Sequence, residues 1–294
     1  MIIDTHTHFG DPAHPKHDIF RTAMPETYKA VAVPEGVTGT VIVESGGEIE
    51  GNQWDIELGE QDPFIVGLVG HLDPFSDEFA RDLERFAASP LFCGFRLHMS
   101  CCRDYSGLPM QGSPRQGSPR QSRDNISGTL IESLELLKTR DLTLDFHGDY
   151  LALDYVAALV ERVPGLRVVL NHIAEGRPID GKTPNQEWAR RLREIVNLPN
   201  IWCKVSALVQ MSAIVPAPAD VEFYRPTLEV LWQAFGADRL IYGSNWPQIE
   251  QVSDFPTAHR IVARYFEGKG SEASEKYFWK NSKDAYRWVD RAQG

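Results

Sequence analysis

The chain has 294 residues, of which 42% are hydrophobic and 24% are charged, and its formal net charge is −11. A chain of this length and composition buries a substantial core, as globular proteins do. Its acidic balance argues against nucleic acid or an anionic membrane surface as the main partner.

Neither a secretory leader nor a membrane helix is predicted. No basic region followed by an apolar stretch opens the chain, and no apolar run reaches the ~18 residues that a bilayer requires. The cysteines have no Cys-x-x-Cys spacing, which argues against a disulfide framework or a zinc cluster. They are Cys93, Cys101, Cys102 and Cys203. We expect a cytoplasmic protein that acts on a small molecule, and the sequence leaves a homo-oligomer open.

Eight short apolar segments have the composition of β-strands, and most are followed by a segment with helical periodicity. Strands are predicted at residues 2–8, 38–44, 64–70, 91–98, 142–147, 166–172, 200–206 and 239–245. Helices are predicted at residues 25–32, 52–61, 76–88, 126–139, 151–163, 185–197, 225–235, 255–267 and 271–288.

The alternation of strands and helices predicts an α/β fold with a parallel sheet. Eight such units in a chain of this length predict an eight-stranded (β/α)8 TIM barrel, and we expect one domain over residues 1–294. An open doubly wound sheet is less favoured, because no Gly-x-Gly-x-x-Gly follows the first strand.

Residues 100–125 interrupt the alternation after the fourth strand. They are polar, rich in Gly and Pro, and contain the pentapeptide Gln111–Arg115, repeated as Gln116–Arg120. A structureless loop of this length is either a functional lid or an insertion. The repeat has no apolar anchor, which favours a long, low-complexity inserted loop.

Polar residues stand at the carboxyl ends of most predicted strands, where a (β/α)8 barrel builds its active site. These residues are His6, His8, Glu44, Arg96, His98, Asp145, His147, His172, Lys204 and Asn245, with Trp246 next to the last. His6 and His8 lie on the same face of the first strand, because strand side chains alternate. Alone, such a pair is equally typical of an ordinary strand end. Its convergence with the other strand ends predicts an active site.

Three short motifs resemble the amidohydrolase superfamily. They are Asp4-Thr5-His6-Thr7-His8, Leu170-Asn171-His172 and Tyr242-Gly243-Ser244-Asn245-Trp246-Pro247. The most similar branch is the "amidohydrolase 2" group of barrel hydrolases, which includes lactonases of sugar-acid lactones and of a pyrone dicarboxylate. The resemblance implies that His6, His8 and His172 bind a divalent metal, with zinc as the first candidate, or polarise the scissile carbonyl group.

Position 245 departs from the pattern of this family, in which an aspartate there takes a proton from the attacking water. Asn245 is neutral and cannot act as the general base, although its amide can still position the attacking water. It is also a weaker metal ligand than a carboxylate, so we expect a weakly held metal or none. His147 and Glu44 are the candidate bases, and Asp145 is a candidate partner that orients His147.

Four further side chains are candidates for binding the substrate. They are Arg96, His98, Lys204 and Trp246. Two cations among histidines predict an anionic substrate, since the planar guanidinium of Arg96 suits a carboxylate.

The leading hypothesis is therefore a hydrolase that opens a small carboxylated lactone. The alternatives are a metal-dependent decarboxylase of an aromatic or related acid, and a barrel that has lost catalysis along with its strand-eight aspartate.

Overall fold

The structure, a computed structural model, describes residues 1–10, 22–45, 47–98 and 126–291. Its strands are β1 (Ile3–Thr7), β2 (Gly39–Val43), β3 (Ile65–Gly70), β4 (Phe92–His98), β5 (Thr143–His147), β6 (Arg167–Leu170), β7 (Ile201–Val205) and β8 (Leu240–Tyr242). They form one sheet in the order of the chain, and every neighbouring pair is parallel.

The barrel closes between β1 and the residues that follow β8. Thr7 forms a parallel bridge with Trp246, and the amide of His8 donates to the Trp246 carbonyl at 2.9 Å. One residue before Trp246, the amide of Asn245 donates to the His6 carbonyl at 2.8 Å. The structure thus confirms the predicted parallel (β/α)8 barrel.

Helices cover the outside of the barrel. They are α1 (Pro25–Ala32), α2 (Gly51–Gln61), α3 (Phe79–Ala87), α4 (Gly128–Thr139), α5 (Leu153–Arg162), α6 (Gln186–Ile195), α7 (Val221–Phe235), α8 (Phe255–Glu267), α9 (Ser271–Glu275) and α10 (Asn281–Tyr286). Within the described ranges, no helix is long and apolar enough to cross a membrane. The predicted insertion at residues 100–125 lies outside the described residues.

Several predicted elements extend beyond the observed ones, most clearly two strands and one helix. β6 ends at Leu170, because residues 172–175 form a left-handed turn, and β8 ends at Tyr242. The predicted helix 271–288 is divided by one π-helical turn at Lys276–Lys280. Its continuation, α10, ends where Arg287 takes a left-handed conformation with φ 54°.

The barrel interior is apolar away from the strand ends and is closed from below by the carboxyl-terminal segment. One cluster joins side chains of opposite strands, such as Val41 of β2 and Val169 of β6, with Tyr286 and Trp288. The Thr143 hydroxyl donates to the carbonyl of Ala285 at 2.6 Å, which ties this segment to β5. The polar strand ends therefore lie above a layer of buried, mostly apolar side chains.

Candidate active site

Five imidazole rings form a continuous row across the carboxyl ends of the strands. In order, the row contains His98, His147, His172, His6 and His8, and successive ring centroids are 5.0, 5.2, 4.5 and 4.9 Å apart. We call this set the imidazole row. His98 and His147 keep 32% of their side-chain surface exposed, whereas the other three rings are buried. The exposed pair marks the open side of the site.

Asp4 fixes the contact between β1, which leads to His6 and His8, and the turn after β8. Its Oδ1 accepts hydrogen bonds from the amides of His6 at 3.1 Å and Ser244 at 2.8 Å, and its Oδ2 accepts from the Tyr28 hydroxyl at 2.6 Å. Asp4 thereby joins β1, α1 and the turn after β8. Asp4 belongs to the first motif, but the sequence alone did not reveal its role. Its position two residues before His6 is the only sign of that role in the sequence.

Lys204 determines which nitrogen of His6 carries the proton. Its ammonium lies 3.3 Å from Nδ1 of His6 and 3.1 Å from a carboxylate oxygen of Asp145, and all three residues are fully buried. Burial, followed by the charge of Lys204, lowers the pKa of His6 well below its usual value, so the ring is neutral. Because an ammonium only donates, the proton of neutral His6 lies on Nε2. Nε2 is buried and has no hydrogen-bond partner among the residues that the structure describes.

Asp145 belongs to the support of Lys204. Its carboxylate also accepts hydrogen bonds from the Tyr286 hydroxyl and from the side chain of Asn171, the latter at 3.2 Å. The sequence-based prediction that Asp145 orients His147 is therefore wrong: the carboxylate points to Lys204, although β5 presents both residues on one face.

His8 is held between a carbonyl and an amide. Its Nδ1 lies 2.7 Å from the Val43 carbonyl, and its Nε2 lies 3.1 Å from Oδ1 of Asn245, whose Nδ2 donates to Gln210 at 2.7 Å. Burial, then the charge of Arg96, lowers the pKa of His8 to about 3. Neutral His8 donates from Nδ1 to the Val43 carbonyl, so its Nε2 only accepts, and the Asn245 amide binds the ring without a change of charge when it turns Nδ2 toward it.

Glu44 is a bound carboxylate. Its Oε1 accepts from Nε of Arg96 at 3.0 Å and faces Nε2 of His98 at 2.9 Å, while its Oε2 accepts from the amide of Gly47. Burial acts to raise the pKa of Glu44, but Arg96 and His98 outweigh it and hold the pKa well below its usual value. An anion saturated in this way is a weak proton acceptor. The prediction of Glu44 as a candidate base is therefore corrected.

His147 lies between His98 and a carboxylate that sequence reasoning missed. Its Nδ1 is 3.1 Å from Nδ1 of His98, and its Nε2 is 3.7 Å from Oε1 of Glu175. His172, the next ring of the row, is held by the Ser206 hydroxyl, 2.8 Å from its Nδ1. Glu175 lies in a turn beyond the predicted end of the sixth strand, where no periodic pattern identifies it.

Two predictions about substrate-binding residues need correction. Each predicted cation already has a carboxylate partner: Arg96 binds Glu44 and Lys204 binds Asp145. Trp246 is 2% exposed, and its ring packs in the core against Tyr28. It holds the turn after β8 in place and presents no face to the mouth of the barrel. His98 remains at the open side.

The histidines do not fit a divalent metal as they lie. Within the described part of the chain, no group of three or more His, Cys, Asp or Glu side chains is arranged to hold a metal ion. The proton that Lys204 places on Nε2 of His6 occupies the nitrogen that a metal would need. Asn245 adds no charge to offset that of the ion.

A shallow cleft of about 850 Å³ lies at the opposite end of the barrel and is lined by Met1, Glu35 and His259, among others. Nδ1 of His259 is 3.0 Å from the Tyr242 hydroxyl, and Glu35 is paired with Arg260. The imidazole row does not line this cleft. The cleft therefore does not compete with the row as the site of chemistry.

Comparison with known proteins agrees with this geometry. A family model described as amidohydrolase matches residues 3–288. The chain belongs to the amidohydrolase family. A curated relative, the L-fucono-1,5-lactonase of Burkholderia ambifaria, is 25% identical over 99% of this chain and 97% of its own length.

Solved amidohydrolase structures share the fold. One from Burkholderia multivorans, with bound zinc, has a TM-score of 0.80 at 19% identity and covers 98% of this chain and 100% of its own. A second, a probable 2-pyrone-4,6-dicarboxylic acid hydrolase from Acinetobacter baumannii with bound citric acid, has a TM-score of 0.73 at 16% identity. It covers 97% of this chain and 99% of its own.

Proposed function

We propose that this protein hydrolyses small lactones, with the carbonyl group polarised by protein side chains. The observation that carries the proposal is Nε2 of His6, which is buried and has no partner in the described part of the chain, while the contact of Lys204 with Nδ1 places the proton on Nε2. The curated relative is a lactonase, and its match to this chain covers nearly the whole length of both, which supports the same class of reaction.

His6 supplies the electrostatic contribution. A lactone carbonyl oxygen that accepts from Nε2–H gains negative charge as water adds, and a preorganised donor in a dry site stabilises that charge. The neighbouring rings of His8 and His172 are also held, by Val43 and Ser206 respectively. Fixed partners keep the rings from reorganising during the reaction.

His147 is the base in this proposal. The water oxygen forms a bond to the carbonyl carbon while its proton passes to Nε2 of His147. The bond between the carbonyl carbon and the ring oxygen then breaks, and the proton moves from His147 to that leaving oxygen. The product is a hydroxy acid, which ionises at neutral pH and releases one proton.

The paired charges bear on the substrate. Arg96 and Lys204 predicted an anionic substrate, but both are neutralised by buried carboxylates, and separating such a pair costs several kcal/mol. We therefore place uncharged lactones, such as sugar lactones, ahead of carboxylated ones. The cytoplasmic location stays a prediction, and zinc, which the resemblance suggested, is not needed for the reaction proposed here.

A panel of sugar lactones and carboxylated lactones, followed by proton release, tests the proposal. We expect turnover of at least one sugar lactone, and a loss of about 100-fold in kcat/KM for His6→Gln, as for the removal of one oxyanion donor. His259→Gln is the matched control, because this buried histidine lies outside the row. Treatment with a metal chelator is expected to leave kcat unchanged.

The same panel separates the alternatives. Release of carbon dioxide from an aromatic acid without lactone turnover would support the decarboxylase. Absence of turnover with every lactone would contradict the proposal and leave the non-catalytic barrel. A loss of activity on chelation that zinc restores would show that the carbonyl is polarised by a metal.

A further inference from the structure

The turn after β6 is strained and firmly held. Residues 172–175 all have φ between 50° and 53°, where each residue other than glycine costs about 1–2 kcal/mol. Trp188 of α6 is fully buried and donates from Nε1 to the Ile173 carbonyl at 2.8 Å. A Cβ at Gly176 would lie 2.5 Å from the Trp188 ring, so the turn and the helix are fitted to each other. Strain of this kind is retained where a site needs it.

The strained turn places two side chains in the site. His172 enters the imidazole row, and three residues later Glu175 brings Oε1 within 3.7 Å of Nε2 of His147. Arg177 binds Oε2 of Glu175 from the outer side. Only 16% of the Glu175 side chain is exposed, whereas 58% of Arg177 is. The carboxylate is therefore directed inward, and its arginine partner lies at the surface.

The hydrogen bonds of the row determine which nitrogen of His147 is free. A carboxylate only accepts, so Nε2 of His98 carries the proton that it shares with Glu44 at 2.9 Å. Neutral His98 then has a lone pair on Nδ1, which accepts from Nδ1–H of His147 at 3.1 Å. The remaining nitrogen of His147, Nε2, has the free lone pair and faces Glu175. A proton taken up there creates a cation beside an anion.

We propose that Glu175 is a positioning residue for His147: its charge stabilises the imidazolium that forms when Nε2 takes the proton of the attacking water. The inference rests on the lactone hydrolysis proposed above. Glu175 would thereby supply the carboxylate that is missing at Asn245, from the turn after β6 instead of the end of β8. Among the described residues, the charged and titratable groups around His147 are His98, His172 and Glu175, with Arg177 behind the last.

The test compares Glu175→Gln with Arg177→Met. We expect Glu175→Gln to lower kcat at least tenfold with KM within twofold, and Glu175→Asp to restore part of the loss. Arg177→Met removes the outer partner only and is expected to keep kcat within threefold. By NMR, the ring nitrogen signals of His147 are expected to move in Glu175→Gln, because its neighbour at 3.7 Å loses its charge, and to stay in place in Arg177→Met.

Two outcomes would overturn this inference. One is an unchanged kcat with unchanged His147 ring signals in Glu175→Gln, and the other is an equal loss of kcat in Arg177→Met. Failure of the unaltered protein to hydrolyse any lactone would instead contradict the proposed function. The NMR signals of the His147 ring would still decide whether Glu175 acts on it, because they do not depend on turnover.

Discussion

At the scale of single residues, Asn245 separates two accounts of the site. If His147 with Glu175 is the base, a carboxylate at position 245 is not needed. Asn245→Asp would then place an anion 3.1 Å from His8 and hold that ring as an imidazolium. We expect kcat/KM for the preferred lactone to stay equal or to fall by up to tenfold. Steady-state kinetics beside the Asn245→Ala variant check this. A gain above 100-fold would instead show a barrel that had lost its base.

Residues differ in how far the sequence could reveal their roles. The histidines of the row follow apolar strands at fixed positions, so their convergence could be predicted. The pairing of the charged side chains could not be predicted, because the sequence of a strand end does not show that Arg96 faces Glu44 or that Lys204 faces Asp145. Glu175 was hidden for a different reason: it depends on a left-handed turn that its own residue types disfavour. Tertiary contacts from Trp188 enforce that turn.

At the scale of elements, strand and helix order could be predicted, because each unit has its own apolar period and turn residues. The ends of β6 and β8 could not, since polar residues continue both segments while the backbone leaves the sheet. The contacts that close the barrel could not be predicted either. Closure depends on Asp4, Ser244 and the Thr7–Trp246 bridge, which join residues from the two ends of the chain.

Gly243 is where β8 approaches β1 and β7. A Cβ there would meet Cβ of His6 at 2.9 Å and the chain of Lys204 at 3.1 Å. We expect Gly243→Ala to lower the free energy of unfolding by about 1–3 kcal/mol, as overpacking does, and to reduce kcat by displacing His6. Urea unfolding and kinetics measure the two effects.

Gly128→Ala is the matched control, since a Cβ there meets no atom of the described residues within 4 Å. This variant is expected to keep both activity and stability. If Gly243→Ala behaved like Gly128→Ala, the contact between β8 and His6 would not be needed for the site.

At the scale of the whole molecule, buried imidazoles tie stability to pH. Among the described residues, five histidines have a lowered pKa whose first cause is burial. They are His6, His8, His98, His172 and His259. The pKa falls to about 3 for His8 and to about 4 for His98 and His259. Two buried carboxyl groups, Asp4 and Asp55, have raised pKa values and act in the opposite sense. The imidazoles outnumber them.

The direction of the pH effect follows from proton counts. Between the unfolded pKa of about 6.5 and the folded values near 4, the unfolded chain binds more protons than the folded chain, so stability is lost as pH falls. Each imidazole contributes a slope of at most about 1.4 kcal/mol per pH unit. We expect the free energy of unfolding in urea to decrease steadily from pH 7 to pH 5.

His259→Gln isolates one imidazole of this set, because it lies on α8, outside the row, and its partner is the Tyr242 hydroxyl. The glutamine keeps a polar partner for Tyr242 but cannot titrate. We expect the variant to lose part of the slope between pH 7 and pH 5, up to about 1.4 kcal/mol per unit, while kcat is unchanged. A slope identical to that of the unaltered protein would show that His259 is already protonated in the folded chain, against the sign given by its burial.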